Sequence, residues 1–293
     1  MGGWMRRIGA GLLGLCLGWG LLAAPEALAQ FSMAEQFSAE VITNAFGETM
    51  PMRVWRKYRP KDLPVPVVVL LHGSGECGQD NAAQLAPFDA LYKTVLVDSA
   101  IPPALYLLPQ CTQANAWVRT IAFQPDYRLP RYPAPALKTV KEYLDELVRQ
   151  GVADPERLYI GGYSLGGFGT WDAIERWPEY FAAAVPVCGG GSTQEAAVKA
   201  AATTSVWAFH GSADSSVPVD CTRRMIAALS QAGVAAKYSE YPNAGHNIWS
   251  RAFGDTAMLR WLFRQRRGQV EKRSEPGVVG AVFGQLLEFV KPE

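Results

Sequence analysis

The chain has 293 residues, about half of them hydrophobic, with 28 basic and 27 acidic side chains and a formal net charge of +1. That length fits one large domain with a core of its own, at most with a small appendage. The balanced charge offers no basic stripe for nucleic acid and no polybasic face for an anionic membrane.

The chain opens with a targeting segment. Arg6 and Arg7 form a positive start, residues 8–22 an apolar stretch, and Ala27-Leu28-Ala29 a small-x-small cleavage site. This is the pattern of an export signal over residues 1–29, so a secreted or periplasmic protein starting at Gln30 is expected. The apolar stretch is short for a membrane span, and no later stretch is long and apolar enough for one.

Two strands are predicted over residues 37–46 and 49–58, with a turn at Gly47-Glu48. Residues 65–71 are a continuous β-branched run, as in a strand buried on both faces of a parallel sheet. It runs into His72-Gly73-Ser74-Gly75. A further buried strand covers residues 102–109. Residues 137–150 set Leu137, Val140, Leu144, Leu147 and Val148 at helical spacing, and Gly151 stops that helix.

A strand over residues 157–161 then leads into Gly162-Tyr163-Ser164-Leu165-Gly166-Gly167, and a helix follows from Leu165 to about Trp177. Strands over residues 181–187, 203–209 and 235–241 alternate with helices from Pro218 to about Gln231 and over roughly 251–264. A β-rich start followed by strand–helix alternation predicts a single domain with a mostly parallel central sheet and helices on both faces. It would occupy residues 30–267, with a linker and C-terminal tail over 268–293. Residues 264–275 read as solvated, and 278–290 as weakly packed.

The chemistry centres on Ser164. Glycine flanks it at −2 and +2 between a strand and a helix, the G-x-S-x-G nucleophile elbow of serine hydrolases. Glycine at those positions accepts unusual backbone angles and relieves clashes in the tight turn. The N–H of Leu165 then sits at a helix N-terminus, where developing negative charge is stabilised.

A serine nucleophile needs a base, and the base an orienting acid, in the chain order Ser, Asp or Glu, His. Only His210 and His246 follow Ser164. His246 ends the loop Pro242-Asn243-Ala244-Gly245, which can present an imidazole at the strand ends, and is the better base. Asp214 follows the preceding strand and is the expected acid, whereas Asp220 falls inside the helix begun by Pro218. A bland alternative for Asp214 is an Asx-turn residue before a helix. The loop after the first long strand is expected to supply the second oxyanion N–H at Ser74, with Gly73 and Gly75 as alternatives and His72 bracing the loop.

These stretches resemble a family. Leu70 to Glu76 with Asp80-Asn81, Pro109-Gln110-Cys111, Gly162 to Asp172, Val187 to Gly191, Val206 to Gly211 with Asp214 and Val217-Pro218, and Tyr241 to His246 with Trp249 carry the likeness, in order. Together they resemble the α/β-hydrolase esterases of the dienelactone-hydrolase and prolyl-oligopeptidase-like group. The nearest likeness is to its secreted bacterial branch, described as predicted peptidase, esterase or polyhydroxybutyrate-depolymerase-like. The resemblance implies an α/β-hydrolase fold with Ser164, Asp214 and His246 as triad. Cys77 departs from the pattern, since relatives often carry arginine after the glutamate.

Four cysteines remain after the signal, and an even count in an exported protein makes disulfides plausible. Cys77 and Cys111 follow strands expected to be neighbours, as do Cys188 and Cys221, which predicts those two pairings. Three histidines and no C-x-x-C argue against a structural zinc site, and no metal or cofactor is expected. Trp117 and Trp249 are candidate aromatic walls of a substrate pocket, with ordinary packing the competing reading.

The expected partner is a small-molecule or polysaccharide-linked ester, with short-chain or aromatic acyl groups favoured because no insertion is long enough for a lid. A serine peptidase sharing the triad and a non-catalytic binding protein on the same fold are the alternatives.

Overall fold

The computed structural model describes residues 32–119 and 127–272. The expected export signal over residues 1–29 and the segment 278–290 lie outside the described residues. Strands β1 (Ser38–Thr43) and β2 (Thr49–Lys57) form an antiparallel hairpin. The Asn44 side-chain carbonyl closes its turn by accepting from the Phe46 and Glu48 N–H groups, both at 3.0 Å. Strand β3 is Val65–Leu71 and β4 is Ala104–Pro109. The β2 strand pairs antiparallel with β4, and β4 pairs parallel with β3. All remaining pairings are parallel, from β3 to β5 (Ala153–Tyr163), β6 (Ala183–Val187), β7 (Ser205–Gly211) and β8 (Lys237–Tyr241). The resulting order is β1-β2-β4-β3-β5-β6-β7-β8.

The apolar run of β3 is buried along its whole length, and its alternation splits it between two cores. Val65, Val67, Val69 and Leu71 belong to one, Val68 and Leu70 to the other. Helices α1 (Met33–Gln36), α2 (Asp89–Val97), α3 (Pro135–Arg149), α4 (Leu165–Arg176), α5 (Glu195–Ala201), α6 (Asp220–Gln231), α7 (Trp249–Phe253) and α8 (Thr256–Leu262) cover the sheet. The first core takes Leu144 of α3, Trp171 of α4 and Leu229 of α6, the second Leu91 of α2, Phe253 of α7 and Leu259 of α8. Each such side chain contributes roughly 1.5–3 kcal/mol by leaving water. The architecture is the α/β-hydrolase fold expected from the strand–helix alternation.

Four local readings differ. Helix α2 was not expected, because β-branched Thr94, Val95 and Val97 blur its helical period, yet Leu91, Tyr92 and Val95 pack inward. Helix α5 was not expected either. The single helix expected over 251–264 is two, broken at Gly254-Asp255, where Asp255 caps α8 by accepting from Ala257 N at 2.7 Å and Met258 N at 3.2 Å. The described part of the polar run 264–275 is not free in solvent but tied back to the domain. Arg267 N donates to Glu156 O at 3.0 Å, its guanidinium pairs with the Glu156 carboxylate at 2.7 Å, and Ala235 N donates to Glu271 O at 3.0 Å.

Replacing Asp255 with alanine removes the N-terminal side-chain cap of α8. The expected loss is about 1 kcal/mol, read as a lower urea midpoint with an unchanged slope.

Candidate active site

Ser164 stands between the end of β5 and the start of α4, with φ +54° and ψ −119°. A non-glycine residue in that region costs on the order of 1–3 kcal/mol and persists only where its surroundings enforce it. Here they do. The Ser164 N–H donates to Val187 O at 2.9 Å, and Ser164 O accepts from Phe168 N at 3.0 Å. The first turn of α4 lies hard against the backbone of β3: a Cβ on Gly166 would sit 2.0 Å from Leu71 O, and one on Gly162 2.5 Å from Gly166 O. The spacing of the two glycines around Ser164 is therefore a packing requirement.

The loop after β8 is stitched to the loop after β7. Ser212 N donates to Tyr241 O at 3.0 Å, Ala213 N to Ala244 O at 2.9 Å, and Asn243 N to Ser212 Oγ at 2.8 Å. This brings His246 to Asp214, where the imidazole Nδ1 lies 2.7 Å from Asp214 Oδ2. The other carboxylate oxygen, Oδ1, accepts from Ser216 N and Val217 N, both at 2.9 Å. Asp214 is thus both the Asx-turn residue and the partner of His246. Its side chain is fully buried. Burial alone would raise the carboxyl, but hydrogen bonds from His210, His246 and the two N–H groups outweigh it and hold it far below the usual carboxylate range. Asp220 points away and pairs with Arg223 at 3.3 Å.

Among the described residues, the Ser164 hydroxyl and His246 Nε2 are not within hydrogen-bond distance of each other. Such contacts are often long without substrate and tighten when it binds.

Ser74 opens a short 3₁₀ turn, Ser74–Glu76, directly after His72-Gly73. The turn is held from three sides. Gln113 Nε2 donates to Ser74 O at 2.9 Å, the Tyr163 hydroxyl bonds the Glu76 carboxylate, and the Gly73 backbone lies against the Tyr163 ring. Glu76 and Tyr163 were not singled out from the sequence, since their roles depend on contacts across 87 residues. Ser74 and Leu165 both line a cavity of about 800 Å³, with Glu48, Gln113, Asn115 and Arg119 as its polar lining.

His72 is buried and spent. Its Nδ1 donates to Gly73 O at 2.6 Å, and its Nε2 accepts from Cys111 N at 3.1 Å, so it braces the loop as a neutral ring. Burial pushes its pKa down, consistent with that state.

Trp117 is not a pocket wall. It is fully buried, its indole N–H donates to His72 O at 3.1 Å, and its Cβ lies under Gly169. Trp249 is half-buried next to His246 (ring centroids 5.9 Å) but stacks on Tyr163 at 4.5 Å and does not line the cavity. Trp117 braces the site from behind, and Trp249 stands partly exposed between Tyr163 and His246.

All four described cysteines stand as free thiols, and neither expected pair is joined in this structure. Cys77 and Cys111 are neighbours, with sulfurs 3.7 Å apart. The Cys188 thiol instead donates to His246 O at 3.4 Å, which turns it away from the expected pairing with Cys221. Two groups bring ligand-type atoms within 4.8 Å of one another, His72 with Cys77 and Cys111, and Cys188 with Asp214 and His246. Neither fits a metal ion, because both His72 nitrogens and the Asp214–His246 pair are committed to hydrogen bonds.

Fold and site together are those of an α/β-hydrolase, and the family match gives the carboxylesterase class. The chain belongs to the phospholipase/carboxylesterase family, which matches residues 58–258. It is 28% identical over 191 residues to a probable carboxylesterase of Oryza sativa subsp. japonica, covering 62% of this chain and 81% of that one. It is 29% identical over 174 residues to poly(3-hydroxyalkanoate) depolymerase C of Paucimonas lemoignei, covering 58% of this chain but only 39% of the depolymerase. Among solved structures, a thermostable esterase superposes with a TM-score of 0.70 at 31% identity, over 79% of this chain and 64% of that one. A feruloyl esterase module from Clostridium thermocellum, complexed with sinapinate, shares the fold at 14% identity and a TM-score of 0.58, over 82% of this chain and 90% of the module.

Gly166→Ala drives a methyl group into Leu71 O and is expected to cost about 3 kcal/mol. Gly75→Ala, whose Cβ meets nothing within 4 Å, is the matched control and should be near neutral. Chemical denaturation of the two variants checks the contrast.

Proposed function

We propose that this protein is an exported serine esterase that cleaves short-chain or aromatic acyl esters through an acyl-enzyme. The observation that carries the reading is the Asp214–His246 hydrogen bond at 2.7 Å, taken together with a backbone-strained serine at a helix N-terminus. His246 Nε2 takes the Ser164 hydroxyl proton as Oγ attacks the ester carbonyl. The carbonyl electron pair moves to oxygen, which rests on the N–H groups of Leu165 and Ser74. Collapse expels the alcohol, which leaves with the proton from His246. Water then gives a proton to His246 and attacks the acyl carbon, releasing the acid and restoring the Ser164 hydroxyl. Asp214 fixes the imidazole tautomer and balances the charge that forms on it.

Export would place Cys77 and Cys111 in an oxidising compartment, where we infer that they close a disulfide. The bridge would tie the end of the Ser74–Glu76 turn to the segment after β4.

The substrate side of the site favours an ester carried on a polysaccharide. A second cavity of about 350 Å³ shares Glu48 and Pro135 with the first. Two strongly exposed aromatics rim it, Phe46 at 75% and Tyr132 at 60% exposure, with the Lys138 ammonium 4.8 Å over the Phe46 ring. Exposed aromatic faces beside amide, carboxylate and ammonium groups suit sugar rings, which present apolar C–H faces edged by hydroxyls. A polyester chain has no hydroxyl donors to use those polar groups.

Ser164→Ala should abolish p-nitrophenyl acetate hydrolysis and adduct formation with a fluorophosphonate probe, read by intact-protein mass. Adduct formation at another serine would remove the assignment. Phe46→Ala combined with Tyr132→Ala should raise KM for feruloylated arabinan about tenfold while leaving p-nitrophenyl acetate within about twofold. Equal effects on both substrates would remove the polysaccharide reading.

A further inference from the structure

Asp214 is served by two histidines. His210, in β7, is fully buried, and its Nε2 lies 3.2 Å from the same Oδ2 oxygen that meets His246. That nitrogen is also 3.0 Å from Val217 O. Its Nδ1 is 2.8 Å from Thr222 Oγ1, and the Thr222 hydroxyl is 2.7 Å from Gly189 O.

Counting protons fixes the state of the ring. A hydroxyl oxygen and a carbonyl oxygen 2.7 Å apart need a proton between them, and Thr222 has one to give. It goes to Gly189 O. Thr222 Oγ1 therefore presents a lone pair to His210 Nδ1, which must carry a hydrogen. Nε2 faces a carbonyl and a carboxylate oxygen, neither of which has a proton, so it must carry one too. A neutral tautomer would leave one bare nitrogen lone pair against oxygen lone pairs in a site closed to water.

We propose that His210 is held as an imidazolium and acts as a positioning residue for Asp214. The buried carboxylate then has a buried counter-charge on the side away from His246. In the resting state, with His246 neutral, this removes the cost of an isolated buried anion. The cation also draws on the carboxylate charge that would otherwise favour protonated His246. The base therefore stays unprotonated, and competent, to lower pH than a lone aspartate would allow.

The other ionisable groups around the ring do not supply this charge. Glu240, opposite His210 on β8, is paired with Arg223 of α6 at 2.7 Å. Cys221 of α6 and Cys188 after β6 are thiols, with burial pushing Cys221 up to about 12 and Cys188 higher still. Among the described residues, the remaining titratable neighbours are Asp214 and, across it, His246.

The consequence for the pH profile rests on the serine-esterase reading, but the charge state does not, and two measurements separate them. The first is the ¹⁵N spectrum of histidine-labelled protein, which has three histidines, with His246 assigned through His246→Gln and His210 through His210→Gln, leaving His72. His210 should show both ring nitrogens protonated throughout pH 6 to 9. A neutral-tautomer signal for His210 anywhere in that range overturns the proposal, whatever the enzyme's activity.

The second is the kcat/KM profile of His210→Gln on p-nitrophenyl acetate. Glutamine keeps a donor toward Asp214 but loses the charge. The acid limb should move about one pH unit toward higher pH. An unmoved acid limb in a folded variant overturns the proposal. Should that variant fail to fold, the spectrum of the unmodified protein decides. An esterase that stays active after Ser164→Ala would fail the serine reading alone.

Discussion

The first turn of α4 packs so closely on β3 that two backbones nearly touch, and the rest of the site is arranged around that contact. With Leu71 O about 2 Å from where a Gly166 Cβ would lie, only glycine lets the helix begin there. The chain must reverse sharply to reach it, which forces Ser164 to a positive φ. Both ends of the strained residue are then held by hydrogen bonds from β6 and from the helix itself. The strain is sustained by the parallel sheet, whose central strands are buried on both faces and cannot shift to relieve it.

A second constraint is electrostatic. Asp214 is closed off from water yet ionised, so every lone pair it exposes needs a donor. Two backbone N–H groups and two histidines meet that need. The donors come from three different places: the turn after β7, the end of β7 itself, and the loop after β8. The carboxylate is therefore also what registers those loops against one another, and His246 is presented by the same network that keeps the anion buried.

Much of this was legible in the chain. The continuous run of residues 65–71 announced a strand with two buried faces, and the Ser164 elbow announced a strand–turn–helix, because both signals are local. The order Ser164, Asp214, His246 was legible for the same reason, each residue lying just past a readable strand. Trp117 was not legible as a core residue. Its burial depends on Gly169 and the carbonyl of His72, which are distant in sequence. Helix α2 was missed because β-branched residues obscure a period that packing against α7 and Trp55 of β2 makes plain.

The sequence by itself determined where the chain turns, which strands are buried, and which serine, aspartate and histidine stand at strand ends. These follow from side-chain size, periodicity and glycine placement, which act over a few residues. Only the tertiary structure decided what each polar group faces. It turned Trp117 into a support, stacked Trp249 on Tyr163, set Glu76 and Tyr163 behind the Ser74 turn, and put His210 on the carboxylate that His246 uses. Hydrogen-bond donors and acceptors find their partners across the fold, so their roles are settled by three-dimensional distance and proton count.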